Sequence, residues 1–408
     1  MRYRKTDKSL PEIGRELGAD ALITGSVLRS GNRVRVTAHL IKASTEEQLW
    51  TGGYERELRD ILSMENDMVS AIARSISLRL TPQDQARLAR ARQVNPETYE
   101  MYLKGMFNLN KLTPEGFTNG LALLQQAMEK DPSDPLPCAG LALGIAVIYH
   151  GSGSITPTVD HPRARTAALK AIELDESSPE AHAALAVMKL YFDYDWEGAE
   201  KEFQRALELN PNSADAHAHY SWYLALFNRD EEGLVEAKIA QGLEPLAPVY
   251  TAWFAWMHLG IGQFNEAIEE ARKALNLNPN DPRGLFVLGD AYRGKNMLEQ
   301  AIATHQKLVA IDPNWKYALA TTYLQAGRKE DALKVVAEME RENYPKYGIY
   351  LFGIQTMLGN KEEAIRALQA AYDYRHGGLP WNLSFPENFP WASDPRYQEV
   401  RRHLNFRD

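Results

Sequence analysis

The chain has 408 residues, 44% of them hydrophobic and 25% charged, an ordinary globular composition long enough for two or three domains. A formal charge of -8 argues against a nucleic-acid-binding surface, which needs clustered Lys and Arg. Cys138 is the only cysteine, so an internal disulfide framework and cysteine-rich zinc sites are excluded, and no segment approaches the ~18 consecutive apolar residues that span a bilayer.

From Ser9 to Leu17, a serine N-cap, a proline in the first turn and apolar residues at helical spacing predict a short helix that Gly18 stops. Ala21–Leu28 and Val34–Lys42 are rich in β-formers, the second alternating apolar and polar, and Ser30-Gly31-Asn32 joins them as a hairpin turn. Gln48–Tyr54 can add a third strand. Ile61, Met64, Met68, Ile72, Ile76 and Leu80 then form the stripe of an amphipathic helix over Ile61–Leu80. The expected order over residues 1–80 is helix, three strands, helix.

Three strings carry a resemblance: Glu16-Leu-Gly-Ala-Asp-Ala-Leu-Ile-Thr-Gly-Ser-Val27, Arg33-Val-Arg-Val-Thr-Ala-His-Leu-Ile41, and Leu49-Trp50 with Tyr54-Glu-Arg-Glu-Leu58. They resemble the small α/β domain related to the amino-terminal domain of the Tol-system translocation protein. That resemblance implies a sensory-type domain of the kind that precedes helical repeats in bacterial winged-helix regulators, adenylate cyclases and serine/threonine kinases. It also implies a further strand and helix ahead of Met1, so the chain is expected to be a partial domain whose effector half lies elsewhere. Ala21–Leu28 is then an apolar strand edge, which invites pairing, and a homodimer through residues 1–60 is expected.

Thr81–Val94 is a polar helical linker ending before Asn95-Pro96. Beyond it, Pro211, Pro245, Pro279 and Pro313 recur every 34 residues. Small residues return in phase, Ala199, Gly233, Ala267 and Ala301 at one position and Ala206, Ala240 and Ala274 at another, and small side chains are what let two helices cross closely. The most regular unit is Gly284–Pro313, opened by Leu288-Gly-Asp-Ala-Tyr292. On these residues the chain resembles the tetratricopeptide repeat family, which implies a mainly α fold: a right-handed α-solenoid of about eight helix pairs over residues 95–375. Repeat two carries an insertion, His150 to His161, expected as a solvated Gly/Ser turn. Residues 376–408 form an irregular capping segment ending in a helix, with Trp381, Phe385, Phe389 and Trp391 packed on the exposed end of the array.

Chemistry is sparse. There is no His-Glu-x-x-His, Gly-x-Ser-x-Gly, Ser-x-x-Lys, phosphate-loop or dinucleotide fingerprint. Asp215, His217 and His219 are close in sequence, but two residues apart on a helix the imidazoles diverge. Ser152 and Ser154 in the insertion are the residues a hydrolase would use, without the rigid frame a triad needs. No catalytic residue, metal or cofactor is assigned.

The family resemblance implies that the first helix of each repeat lines a concave groove at its second, fifth, ninth and twelfth positions. In this register those positions carry Tyr99, Tyr102, Met106, Asp215, Trp222, Val249, Trp256, Arg283, Phe286, Asp290, Arg293, Tyr317 and Thr321. The peptide-binding set is Tyr102, Trp222, Trp256, Arg283, Phe286, Asp290, Arg293 and Tyr317. Aromatic and arginine side chains give large contact energy at low entropic cost, as peptide grooves require. A competing reading has Trp222 and Trp256 merely filling the space between repeats. The chain is therefore expected to be a non-enzymatic scaffold for a protein or peptide segment, the regulatory part of a bacterial signalling or transcription-regulatory protein. The expected ligand is an apolar residue flanked by acid. An esterase-like hydrolase and a structural oligomerisation module are the alternatives. The composition suits cytoplasm and periplasm equally.

Overall fold

The computed structural model describes residues 6–76, 85, 93–151 and 157–406. The chain divides into two compact units, Met1–Met101 and Tyr102–Asp408. In the first, helix α1 (Leu10–Leu17) starts where the Glu12 carboxylate accepts from the Ser9 N–H at 2.8 Å, and it stops at Gly18, whose φ of +62° costs a residue without Cβ nothing. Strands β1 (Ala21–Ser30), β2 (Arg33–Lys42) and β3 (Gln48–Glu57) form an antiparallel sheet in that order. Gly31, at φ +59°, makes the two-residue turn that pairs Ser30 with Arg33. Val34, Ala38 and Leu40 of β2 are buried, as the alternation requires, and helix α2 (Ile61–Ser75) lies against β3 with Met64 and Ala73 buried. Ile23, Val27 and Leu28 of β1 stay exposed. The order helix, three strands, helix is the one the sequence pattern implies. Most of the 81–94 linker, and Leu80 of the α2 stripe, fall outside the described residues.

From Pro96 onward the chain is built from helix pairs. Repeat one is α3 (Pro96–Leu109) with α4 (Pro114–Lys130), repeat two α5 (Pro135–Gly151) with α6 (Pro157–Leu174), and repeat three α7 (Pro179–Met188) with α8 (Trp196–Leu209). Repeat four is α9 (Ala214–Leu226) with α10 (Asp230–Leu243), repeat five α11 (Pro248–Gly260) with α12 (Phe264–Leu277), and repeat six α13 (Pro282–Gly294) with α14 (Leu298–Ile311). Repeat seven is α15 (Lys316–Gln325) with α16 (Lys329–Asn343), and repeat eight α17 (Gly348–Met357) with α18 (Lys361–Asp373). First helices start on local chemistry: Ser178, Ser213 and Asp281 accept from the N–H three residues on, and prolines fill the first turn of α7, α11 and α13. Between the helices of repeats four to eight the chain reverses through a left-handed residue, Asn228 and Asn296 (both φ +58°) or Gly262, Gly327 and Gly359, while in repeats one and three Leu112 and Tyr194 take that conformation. Only Gly and, less easily, Asn adopt that conformation cheaply.

The in-phase small residues sit at helix crossings. Ala199, Ala267 and Ala301 are completely buried, and a Cβ on Gly289 would stand 2.2 Å from Nε2 of His305 on α14. The insertion of repeat two differs from the expected loop. His150 and Gly151 complete α5, and Pro157–His161 begin α6, because helix propagation is cheap once both helices are nucleated. Residues 152–156, with Ser152 and Ser154, lie outside the described residues. After repeat eight come α19 (Leu379–Ser384) and α20 (Pro395–His403). Tyr397, Val400 and Leu404 join Leu379 and Leu383 in a core over α17 and α18, with Phe389 and Trp391 packed beside it.

Candidate ligand-binding cavity

The 34-residue period stacks equivalent side chains of successive first helices. Trp222 of α9 and Trp256 of α11 occupy one such position, and their rings meet edge-on at 5.6 Å. Phe286 of α13 packs on Trp256 at 5.1 Å, and Tyr317 of α15 lies 6.1 Å from Phe286. These four residues, with Asp290 and Arg293 of α13, line a single cavity of ≈ 540 Å³. The cavity falls in the size range of ligand sites, roughly 300–1,000 Å³.

Two members of the predicted set lie elsewhere. Arg283 is buried, its guanidinium 4.8 Å from the ring of Trp253 and 5.9 Å from that of Trp256, behind the wall of the cavity and not on its surface. The helical register places position 283 toward the neighbouring repeat once the inner helices close up. Tyr102 packs by the backbone of α5, where a Cβ on Gly140 would touch its ring at 3.1 Å, and it does not line the cavity. Trp222 is also not an open surface: it is 4% exposed because Trp381 of α19 stacks on it at 4.4 Å. The chain after repeat eight thus turns back to repeat four. Trp381 and Phe385 line the cavity, whereas Phe389 packs on Phe352 at 4.7 Å in the terminal core. Tyr350 of α17 is a further lining residue missed by the groove register. It stands 33 residues after Tyr317, and carrying that register on to repeat eight finds it.

Electrostatics in the wall are self-contained. Arg293 donates through Nε and Nη2 to the two carboxylate oxygens of Asp290 at 3.0 and 2.9 Å, a fork-on-fork pair, and Nη1 reaches Gln325 Oε1 at 3.4 Å. Burial works to raise the Asp290 carboxyl, but the Arg293 guanidinium outweighs it and holds the group below its ordinary value. Asp290 raises Arg293 in turn. Behind the wall, burial aided by Arg283 pushes His219 down to about 3, so its imidazole is neutral. Arg293 is paired with Asp290, and Arg283 is 2% exposed behind the wall with Nη1 and Nη2 lacking hydrogen-bond partners among the described residues, so neither of these two guanidinium groups offers the expected acid flank an unpaired edge on the cavity surface. The charges of this wall therefore lend that expectation no support.

Asp215, His217 and His219 do not converge. Asp215 accepts from Tyr250 Oη at 2.8 Å, His217 turns outward to Glu236 and the Pro211 carbonyl, and His219 packs edge-on to Trp253. Among the described residues no cluster of three His, Cys, Asp or Glu side chains could hold a metal ion, and no helix is long and apolar enough to cross a membrane. Two further cavities, of ≈ 620 and ≈ 930 Å³, lie where the C-terminal segment meets repeat three, and none of the predicted groove residues lines either.

Comparison with known proteins agrees with the helix-pair geometry. The tetratricopeptide repeat family matches residues 254–314, which span parts of repeats five and six. The putative adenylate cyclase 3 of Rhizobium meliloti is 25% identical over 185 residues, 45% of this chain and 32% of its own length. The transcriptional regulator HilA of Salmonella typhimurium is 23% identical over 322 residues, 77% of this chain and 52% of its own. The chain thus spans about a third to a half of these curated relatives. Among solved structures, the APC/C hetero-tetramer Cut9-Hcn1 superposes with a TM-score of 0.50 at 16% identity, over 70% of this chain and 52% of that one, a likeness of fold alone. The recurring prolines, the small residues at the crossings and the paired helices describe a solenoid of tetratricopeptide-type helix pairs, in which residues 254–314 match the tetratricopeptide repeat family.

Proposed function

We propose that this chain is a non-enzymatic scaffold that binds a protein or peptide segment in the cavity between the first helices of repeats four to eight and α19. The observation that supports this reading most is the convergence of Trp222, Trp256, Phe286, Asp290, Arg293 and Tyr317 on one ≈ 540 Å³ space. Four successive repeats each place a large side chain there, which a solenoid needing only to pack its helices has no reason to do. Similarity to a transcriptional regulator and to an adenylate cyclase favours a regulatory role within a bacterial signalling or transcription-regulatory protein, for the shared length alone. A Tol-type sensory domain over residues 1–80 belongs to the same proposal.

The test is selection of peptides on the full chain from a displayed library, followed by titration of the selected peptides by fluorescence anisotropy. Trp256→Ala and Tyr317→Ala should each lose ~1–3 kcal/mol of affinity, as anchor residues do. If both variants stay folded and bind every selected peptide as the parent does, the cavity is not the functional surface. The esterase reading rests on Ser152 and Ser154, outside the described residues, and nothing in the cavity favours it.

A further inference from the structure

The aromatic contacts around the cavity form a run of rings whose two ends the backbone joins. From Trp381 the chain of rings runs to Trp222, Trp256 and Phe286 across three repeats. It continues from Phe286 to Tyr317, then to Tyr350, which stacks on Tyr317 at 3.6 Å with an interplanar angle of 5°. Tyr350 meets the edge of His376 at 5.0 Å, and Gly377 and Gly378, both lining the cavity, lead directly into the helix that carries Trp381. Rings meeting face-on and edge-on in this way present both π faces and polarised C–H edges to whatever enters.

One wall of this enclosure is anchored. Leu379 and Leu383, one turn apart on α19, are both 0% exposed in the terminal core, and Arg401 Nε donates to the Leu383 carbonyl at 3.1 Å. The same short helix directs Trp381 and Phe385 into the cavity. A long extended segment threading the array would have to tear α19 from that core, whereas one side chain entering the remaining space would not. The fit at the wall is tight: a Cβ added to Gly260 would lie 3.2 Å from the Trp381 indole.

Charge narrows the entrant further. Asp290 and Arg293 satisfy each other, so a carboxylate or an ammonium group would shed its hydration for no counter-charge. A neutral ring instead gains contact with aromatic faces. Asn382 supplies the polar mark: its Nδ2 donates to the Gly378 carbonyl at 2.8 Å, which leaves Oδ1 to accept from a ligand.

We propose that the cavity is a socket for one neutral aromatic ring bearing a hydrogen-bond donor, an indole or a phenol, presented by a partner segment as its single anchor. This deepens the segment-binding reading and rests on it for the source of the ring. The probes are the peptide acetyl-Gly-Gly-Trp-Gly-Gly-amide and free N-acetyl-tryptophanamide, titrated into the full chain while the indole N–H signals of Trp222, Trp256 and Trp381 are followed by NMR. The expected result is saturable binding of the peptide, with those three signals shifting and the peptides carrying Leu, Glu or Lys in place of Trp weaker by roughly tenfold or more. Asn382→Ala should weaken the Trp peptide several-fold and leave the Phe peptide, which has no donor, unchanged. Leu259→Trp, which adds bulk to the cavity lining at a partly buried position beside the core of repeats five and six, should abolish binding with unchanged circular dichroism; if it fails to fold, the signal shifts in the parent chain decide alone.

Absence of saturation at millimolar peptide, or Leu and Lys peptides that bind as well as Trp, overturns the socket. Saturation by free N-acetyl-tryptophanamide with no binding of the peptide overturns the partner segment as source. Should library-selected peptides lose affinity on Trp256→Ala whatever their aromatic content, the socket fails while the segment-binding reading survives.

Discussion

In repeat four, α9 is buried at every position except Asp215, whereas its partner α10 buries only Gly233, Ala237 and Ala240 and leaves Val235 more than half exposed. Repeat five shows a similar contrast between α11, buried from Val249 to Met257 except at Trp256, and α12, which buries Ala267, Ile268, Ala271 and Ala274. An outer helix touches the molecule along one stripe and keeps water on the other, so it reads as amphipathic. An inner helix meets its own partner, the inner helices before and after it, and on the concave side whatever closes the cavity. Nothing in its own sequence period separates those surfaces. Inner helices therefore carry the cavity-lining residues, and outer helices carry the spacing that holds them in phase.

If that division of labour is right, the contact between outer and inner helices should be the costliest to cut. Phe203 of α8 is fully buried against Tyr220 and Tyr223 of α9, at 5.6 and 6.4 Å. Phe203→Ala should destabilise the array by ~3–5 kcal/mol in guanidinium unfolding. A loss no greater than that of a surface substitution would mean the two layers are less coupled than their burial indicates.

Overfilling a crossing should cost less. Ala267→Leu, at a completely buried position of α12, is expected to lose ~1–3 kcal/mol, felt first in repeats four to six because a solenoid couples mainly to its neighbours. Val235→Ser, on the exposed stripe of α10, serves as the internal contrast and should stay within about 0.5 kcal/mol. Equal effects from the two changes would dissolve the distinction between the stripes.

Two histidines fasten inner to outer helices and make the contrast pH-dependent. His182 faces the Glu202 carboxylate at 2.7 Å through Nδ1 and the Glu176 carbonyl at 2.8 Å through Nε2, and His217 is held in the same way by Glu236 and the Pro211 carbonyl. Both nitrogens meet acceptors, so the imidazolium is the form that satisfies the site. The bond to Glu202 raises His182 above its ordinary value; at His217 burial opposes protonation, and the bonds to Glu236 and Pro211 prevail. A raised folded value means stability fully present below the unfolded value near 6.5 and lost as pH rises through the folded ones. Melting temperature should fall between pH 6 and 9, and the double variant His182→Gln, His217→Gln should flatten the slope. A parent melting temperature that does not change over that range would refute the account.

The smallest expected effect on stability is in the amino-terminal sheet, where β1 has β2 as its only neighbour among the described strands and exposes Ile23, Val27 and Leu28. Val27→Lys should leave unfolding almost unchanged while abolishing any concentration-dependent association seen by sedimentation, since a charge on an exposed strand blocks pairing. Association that survives both this change and deletion of residues 1–60 would place self-contact elsewhere.

Much of the architecture is local and so legible in the sequence. Pro211, Pro245, Pro279 and Pro313 after second helices, Ala199, Ala267 and Ala301 at the crossings, and Asn or Gly where repeats four to eight reverse at positive φ are each dictated by contacts within one repeat or with the next. The hairpin at Gly31 and the alternation of β2 are equally local. The same register also placed Trp222, Trp256, Phe286, Asp290, Arg293 and Tyr317 on one wall, since stacking a 34-residue unit superimposes equivalent positions. What only the tertiary structure decided is what faces that wall. Trp381 reaches Trp222, and Asn405 reaches the Tyr194 carbonyl at 3.1 Å, because small rotations from one repeat to the next add up until the end of the array returns to its middle. That sum depends on every crossing at once, and no single residue encodes it. For the same reason Arg283, which on its helix is indistinguishable from a groove residue, ends between two indoles with its charge withheld from any ligand.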